Sequence, residues 1–126
     1  MVVLSSKNKK IVADIPKRIM DNLNINSQSA SVELTERAIR HIKDGHYEDY
    51  MKYGHRISEI IGSPDYYGSN DKYANTIELY KKFDDNVLLA IKVNKKSTFS
   101  ISTMFVLKNG DNKIAGRLKS GRIKKF

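Results

Sequence analysis

The sequence predicts an α+β fold, with N-terminal helices packed on one face of a roughly four-stranded antiparallel sheet. Three observations carry that expectation. Tyr50, Tyr53, Ile57, Ile60 and Ile61 recur at helical spacing ahead of a stop at Gly62 and Pro64. Beyond Pro64 the apolar residues fall into strand-like runs at 76–83, 86–93 and 98–107. The turns between those runs are short and polar, as antiparallel neighbours require. A chain of 126 residues, 40% hydrophobic, has the material for one core and not for two.

Taken in order, residues 1–12 lack periodicity and read as a mobile arm or an edge strand, leaving 13–126 as the single domain. Asp14 as cap and Pro16 in the first turn predict a short helix from Ile15, with Ile19, Met20 and Leu23 on its apolar side. A second helix is expected from Thr35 or Ser31, carrying Leu34, Ala38, Ile39 and Ile42 inward and ending at Gly45. His46 then lies just past the helix end. The third helix follows over 48–61. Tyr66 and Tyr67 read as a fourth strand at one sheet edge, ahead of the turn-rich residues 68–71. Residues 87–91 are apolar on both faces and mark a central strand. In the last long strand Phe99, Ile101, Thr103 and Phe105 alternate with Ser100, Ser102, Met104 and Val106, giving one greasy and one mixed face. Asn109-Gly110 makes a turn, and Asp111 is a candidate cap for a C-terminal helix anchored by Ile114, Leu118 and Ile123.

The charge is unevenly placed. Of a net +9, residues 1–62 contribute 10 basic against 8 acidic side chains, whereas residues 96–126 hold 8 basic residues against Asp111 alone. That field selects polyanionic partners, nucleic acid first. The chain has no cysteine, which excludes disulfides, thiolate metal sites and cysteine nucleophiles. Apolar runs reach about five residues, far short of the ~20 of a bilayer span. The chain reads as cytoplasmic, without membrane contact.

Three histidines exhaust the neutral-pH proton carriers: His41, His46 and His55. His41 lies inside the second helix, and His55 falls about 200° around the helix from Ile57, on the exposed side. His46 opens a loop, where functional groups concentrate. His41 and His46 do not share the i, i+4 face of a helical zinc motif, and no phosphate-binding glycine loop or serine-nucleophile elbow occurs. No metal and no cofactor is expected. The inventory permits metal-free phosphodiester chemistry on RNA, whose 2′-hydroxyl is its own nucleophile: a histidine moves the proton, cations stabilise the phosphorane, and strand hydroxyls such as Ser102 or Thr103 orient it.

Several short motifs, in this order, carry a family resemblance. Thr-Glu-Arg-Ala-Ile-Arg-His-Ile-Lys-Asp-Gly-His from Thr35, Tyr-Glu-Asp-Tyr from Tyr47, Pro64-Asp65, Thr-Ile-Glu-Leu from Thr76, Val-Leu-Leu-Ala-Ile-Lys from Val87, Ser102-Thr103, and Arg-Leu-Lys-Ser-Gly-Arg-Ile-Lys-Lys from Arg117 together resemble the phage-associated barnase–EndoU–colicin–RelE-like nucleases. The resemblance spans about 32–125. It implies N-terminal helices followed by a four-stranded antiparallel sheet, and a metal-independent endoribonuclease of phage, mobile-element or toxin origin that leaves a 2′,3′-cyclic phosphate. Carried across by position, it assigns catalysis to His46, with His41 as second choice, to Ser102 or Thr103, and to Arg117 and Lys119. Lys92, Arg122, Lys124 and Lys125 become nucleic-acid contacts. Gly45 stands where a basic residue is expected, and the sheet half offers no second histidine. The implied partners are RNA and an acidic immunity or antitoxin protein. The alternatives are a non-catalytic nucleic-acid-binding module and a phage structural or accessory protein.

Overall fold

A computed structural model describes residues 9–70, 72, 75–94 and 98–126. The rest of the expected N-terminal arm, and most of the expected turn before the last long strand, lie outside the described residues. Along the chain run β1 (Lys9–Asp14), α1 (Lys17–Asn22), β2 (Ser31–Thr35), α2 (Glu36–Tyr53), a 3-10 turn (Gly54–Arg56), α3 (Ile57–Gly62), β3 (Tyr66–Ser69), β4 (Thr76–Lys82), β5 (Asn86–Val93), β6 (Phe99–Val106), α4 (Gly110–Ser120) and β7 (Ile123–Lys125).

The strands form one seven-stranded sheet in the order β1-β2-β6-β5-β4-β3-β7. It is mixed, because β2 runs parallel to β6 while every other pair is antiparallel. This corrects the expected four-stranded antiparallel sheet behind a block of N-terminal helices. The described chain opens with strands, and α1 is a short link between β1 and β2. The four expected strands are present in their expected order, and β5 is central. Two N-terminal strands extend the sheet beyond β6, and β7 covers β3, which is therefore not an edge.

The α1 helix starts two residues later than expected, after Pro16 and without a side-chain cap. Asp14 instead accepts a hydrogen bond from the Ser31 hydroxyl at 2.9 Å, across the β1–β2 ladder. Thr35 does cap α2, its Oγ1 accepting from the Ala38 N–H at 3.0 Å. The span Glu36–Tyr53 is two helices joined at a kink, His46 (φ −142°, ψ 50°), directly after the expected terminator Gly45. The histidine therefore sits just past a helix end as expected, at a one-residue junction and not in a longer loop. The predicted apolar stripe is real across the α2–α3 junction: Tyr53, Ile57, Ile60 and Ile61 are all buried.

A main core lies between the sheet and helices α1 to α3, filled by residues such as Ile19, Ile42, Ile60, Leu89 and Phe99. The opposite face holds a smaller core of Tyr80, Leu88, Ala90, Leu107, Ile114 and Ile123, where α4 and β7 close over the sheet. A bulge sorts β6 between these faces. Ile91 pairs with Ile101 and Ala90 with Thr103, leaving Ser102 as the extra residue. Phe99, Ile101 and Met104 therefore face the helices, while Phe105 turns to the opposite face. The simple alternation read from the sequence breaks there.

Candidate functional site

The face away from α1–α3 is only partly covered, and it carries the polar chemistry. Paired residues on adjacent strands share a face, which produces two rows across the sheet. One runs Lys125, Tyr66, Tyr80, Leu88, Phe105, and the next runs Ile123, Gly68, Glu78, Ala90, Thr103. A cavity of about 600 Å³ opens over the second row and extends to Thr76, Lys92 and Ser102.

Glu78 stands in the wall of this cavity and is 3% exposed, the one buried charged residue among those described. A carboxylate taken out of water needs opposite charge and hydrogen bonds, and Glu78 has both. Arg122 Nη2 lies 2.8 Å from one carboxylate oxygen and 3.0 Å from the other. Asn70 Nδ2 donates at 3.0 Å and the Tyr80 hydroxyl at 2.8 Å. Tyr80 in turn accepts from Arg117 Nη1 at 2.8 Å. One buried carboxylate thus holds two arginines, Arg122 directly and Arg117 through a phenol. Burial pushes the Tyr80 hydroxyl up to about 12, and the Glu78 charge adds to this against the opposing pull of Arg117. The phenol stays protonated and keeps donating to Glu78.

The chain reaches this arrangement by close backbone approach. Gly121 closes α4 at φ 85°, a left-handed conformation suited to glycine, and turns the chain into β7. At Gly68 a Cβ would run into the Arg122 carbonyl oxygen and the Ile123 side chain. The missing side chain lets β7 dock and delivers Arg122 to Glu78. At its other end α4 is tied by Asp111, which accepts from Lys82 Nζ at 3.0 Å and from Asn86 Nδ2 at 2.8 Å. Asp111 was the expected helix cap, and it serves as a tether between elements.

A second cavity, of about 640 Å³, lies beyond Phe105 and is lined by His46, Tyr47, Asp49, Lys108 and Lys113. The His46 ring stacks on Phe105 with centroids 5.1 Å apart and planes inclined by 26°. Its side chain remains 42% exposed, and its Nδ1 is 3.7 Å from Asp49 Oδ2. Asp49 is itself held, accepting from the Val106 N–H at 2.9 Å. Phe105 lines both cavities and so adjoins both His46 and the cleft hydroxyls.

Of the residues singled out by sequence, Ser102, Thr103 and Lys92 line one cavity, and Arg117 and Arg122 join it through Glu78. His46 adjoins it through Phe105. His41 is exposed on α2, outside both cavities. Lys119 is exposed on α4, two residues and therefore about 200° around the helix from Arg117. Lys125 shares the cleft face opposite Tyr66, whereas Lys124 pairs with Tyr67 and belongs to the helix side. Glu78, Tyr80, Asn70 and Phe105 were not found by sequence reasoning. The signal for Glu78 was a lone carboxylate among apolar residues in Thr-Ile-Glu-Leu-Tyr. Among the described residues no three His, Asp or Glu side chains converge as a metal-binding group, and no helix is long and apolar enough to cross a membrane.

A family model described as phage-Barnase-EndoU-ColicinE5/D-RelE like nuclease3 matches residues 9–115. No curated protein and no solved structure gives a significant match. The matched span holds Glu78, Tyr80, Phe105 and His46, and stops before Arg117 and Arg122.

Proposed function

We propose, from the premise that this chain belongs to the phage barnase–EndoU–colicin–RelE-like nuclease family, that it is an endoribonuclease acting without a metal. The substrate's 2′-hydroxyl attacks the adjacent phosphorus, the bond to the 5′-oxygen breaks, and a 2′,3′-cyclic phosphate and a 5′-hydroxyl result. The observation that carries this reading is the pair of arginines anchored, directly or through Tyr80, on Glu78, a residue that lines the same cleft as Ser102, Thr103 and Lys92. Fixed cations suit a reaction whose central event is charge building on phosphate oxygens, because they need little reorganisation as it builds. Arg117 and Arg122 take that role, and Ser102 or Thr103 orients the phosphate. Lys119 gives way to Arg122, since it points away from the cleft.

His46 is the proton carrier of this scheme. Phe105 and Asp49 restrain the ring, and with Asp49 nearest Nδ1 the other nitrogen, Nε2, exchanges the proton. Glu78 is a positioning residue, because both its oxygens are already engaged by donors. An acidic immunity or antitoxin protein that covers the same cationic face is the partner this reading carries.

The test is RNA cleavage in EDTA by wild type and His46→Ala, with the product ends analysed. The reading expects 2′,3′-cyclic ends and a loss of about 10²–10⁴-fold in the variant. Wild type that cuts nothing, or cuts only with added metal, overturns it; equal cutting by both proteins removes His46 from the mechanism.

A further inference from the structure

The cleft has an apolar floor as well as cationic neighbours, and catalysis on phosphate does not use that floor. Leu88, Ala90 and Phe105 line it from adjacent strands, in the cavity of about 600 Å³. Around them stand Asn75, Thr76, Ser102 and Thr103, whose side chains make no hydrogen bond to any other described residue. Cations lie to one side, at Lys92 and at Arg122 on Glu78. A flat floor ringed by unused amide and hydroxyl groups complements a planar heteroaromatic ring whose edges carry donors and acceptors. The apolar floor itself does not complement a phosphate, which the cations and one rim hydroxyl, Ser102 or Thr103, take. Phe105 is suited to stacking because its ring is already braced by His46 at 5.1 Å, so little freedom is lost when a second ring lies on it.

We propose that this cavity is a pocket for one unpaired nucleobase, stacked on Phe105 between the Lys92 end of the cleft and the His46 side. The inference rests on the nuclease reading for its choice of ligand, and it adds a substrate class. A base seated there has its pairing edge enclosed, so a base held in a duplex is excluded. Phosphates flanking that nucleotide would reach Lys92 at one end and Lys108 and Lys113 at the other.

The experiment uses binding, so that it stands apart from cleavage. Fluorescence anisotropy compares a short deoxyribose oligonucleotide, which lacks the attacking hydroxyl, with its duplex and with versions carrying one abasic position each. Wild type should bind the single strand, and one abasic position should weaken binding about tenfold, the scale of one base–aromatic stack. Phe105→Leu should lose the same factor without adding to the abasic loss, and Phe105→Trp should restore it. The pocket is overturned if wild type does not bind the single strand, if it binds the duplex as well, or if no abasic position matters. Equal binding by Phe105→Leu also overturns it. Should Phe105→Leu fail to fold, the abasic series on wild type and Phe105→Trp still decides. Abasic-sensitive binding without RNA cleavage would sink the nuclease reading and leave the pocket standing.

Discussion

Arg122 meets Glu78 on both carboxylate oxygens, Nη2 lying 2.8 Å from Oε2 and 3.0 Å from Oε1. The pair joins residues 44 positions apart, and it fastens the most basic part of the chain to the middle of the sheet. Without it, α4 and β7 would be held by the β3–β7 ladder, Ile114, Ile123, the Arg117–Tyr80 bond and the Asp111 tether.

Glu78→Gln should therefore lower stability and activity together. It leaves the part-buried Arg122 facing a neutral amide, and loss of one partner from such a pair costs about 3 kcal/mol. Urea denaturation reads the stability. Activity should fall in kcat while the pH profile keeps its shape, since the arginines would remain but lose their aim on the developing charge. A general-base role would instead remove the acidic limb of the pH profile along with kcat.

Tyr80→Phe separates the two arginines. It deletes the link to Arg117 and leaves Arg122 on Glu78. A net cost of about 1 kcal/mol is expected for the lost bonds, with the core aromatic ring preserved. Wild type should also lose stability between pH 10 and 12, as the raised phenol finally ionises. The sign follows from linkage: a group whose folded pKa is raised stabilises the fold below its ordinary value, and that contribution disappears as pH climbs through the folded one. In melts across that range the Phe variant should show a shallower decline.

Gly68→Ala tests the docking of β7. The added methyl meets the Arg122 carbonyl and Ile123, a backbone contact that cannot rotate away. Overpacking of this kind costs about 1–3 kcal/mol. The diagnostic outcome is faster hydrogen exchange confined to β3 and β7, with reduced activity, while α2 and β5 keep their protection. Uniform loss of protection would mean that β7 does not dock as a separable unit.

Much of this architecture was legible because it is local. Thr35 announces its helix through a bond three residues away, and the run from Val87 to Ile91 reads as a central strand because both its faces are apolar. What escaped depends on distant partners. Val32 and Leu34 continue smoothly into the α2 pattern, and only pairing with distant partners, β1 on one side and Phe99 and Ser100 of β6 on the other, makes this segment a strand. Three residues suffice for β7 because β3 waits for them. The β6 bulge is silent because Phe99 through Val106 offers apolar residues in both phases. At the candidate site the hydroxyls, Lys92 and the arginines were readable as chemistry, whereas Glu78 looked like one polar position on a strand. Its burial is set by Arg122, Tyr80 and Asn70, and no local pattern encodes that meeting.

Acid should loosen the other end of α2. Tyr53 donates to Asp85 Oδ2 at 2.7 Å and its oxygen accepts the Asp85 N–H at 3.0 Å, while Lys52 Nζ lies 3.1 Å from the same carboxylate oxygen. These contacts clasp the helix to the β4–β5 turn. The Tyr53 bond, then the Lys52 bond, hold the Asp85 carboxyl below its ordinary 3.8. A depressed carboxylate stabilises the fold above that ordinary value and loses its contribution as pH falls through the folded one. Asp111 adds to the same acid limb, lowered first by Asn86 and then by Lys82. The melting temperature should hold from neutrality to about pH 4 and fall below it. Asp85→Asn should lower the neutral plateau and flatten that decline, because the amide keeps the shape and drops the titration. An unchanged acid slope in Asp85→Asn would assign the loss to Asp111 and the remaining carboxylates, and would reduce the clasp to a hydrogen bond without a charge term.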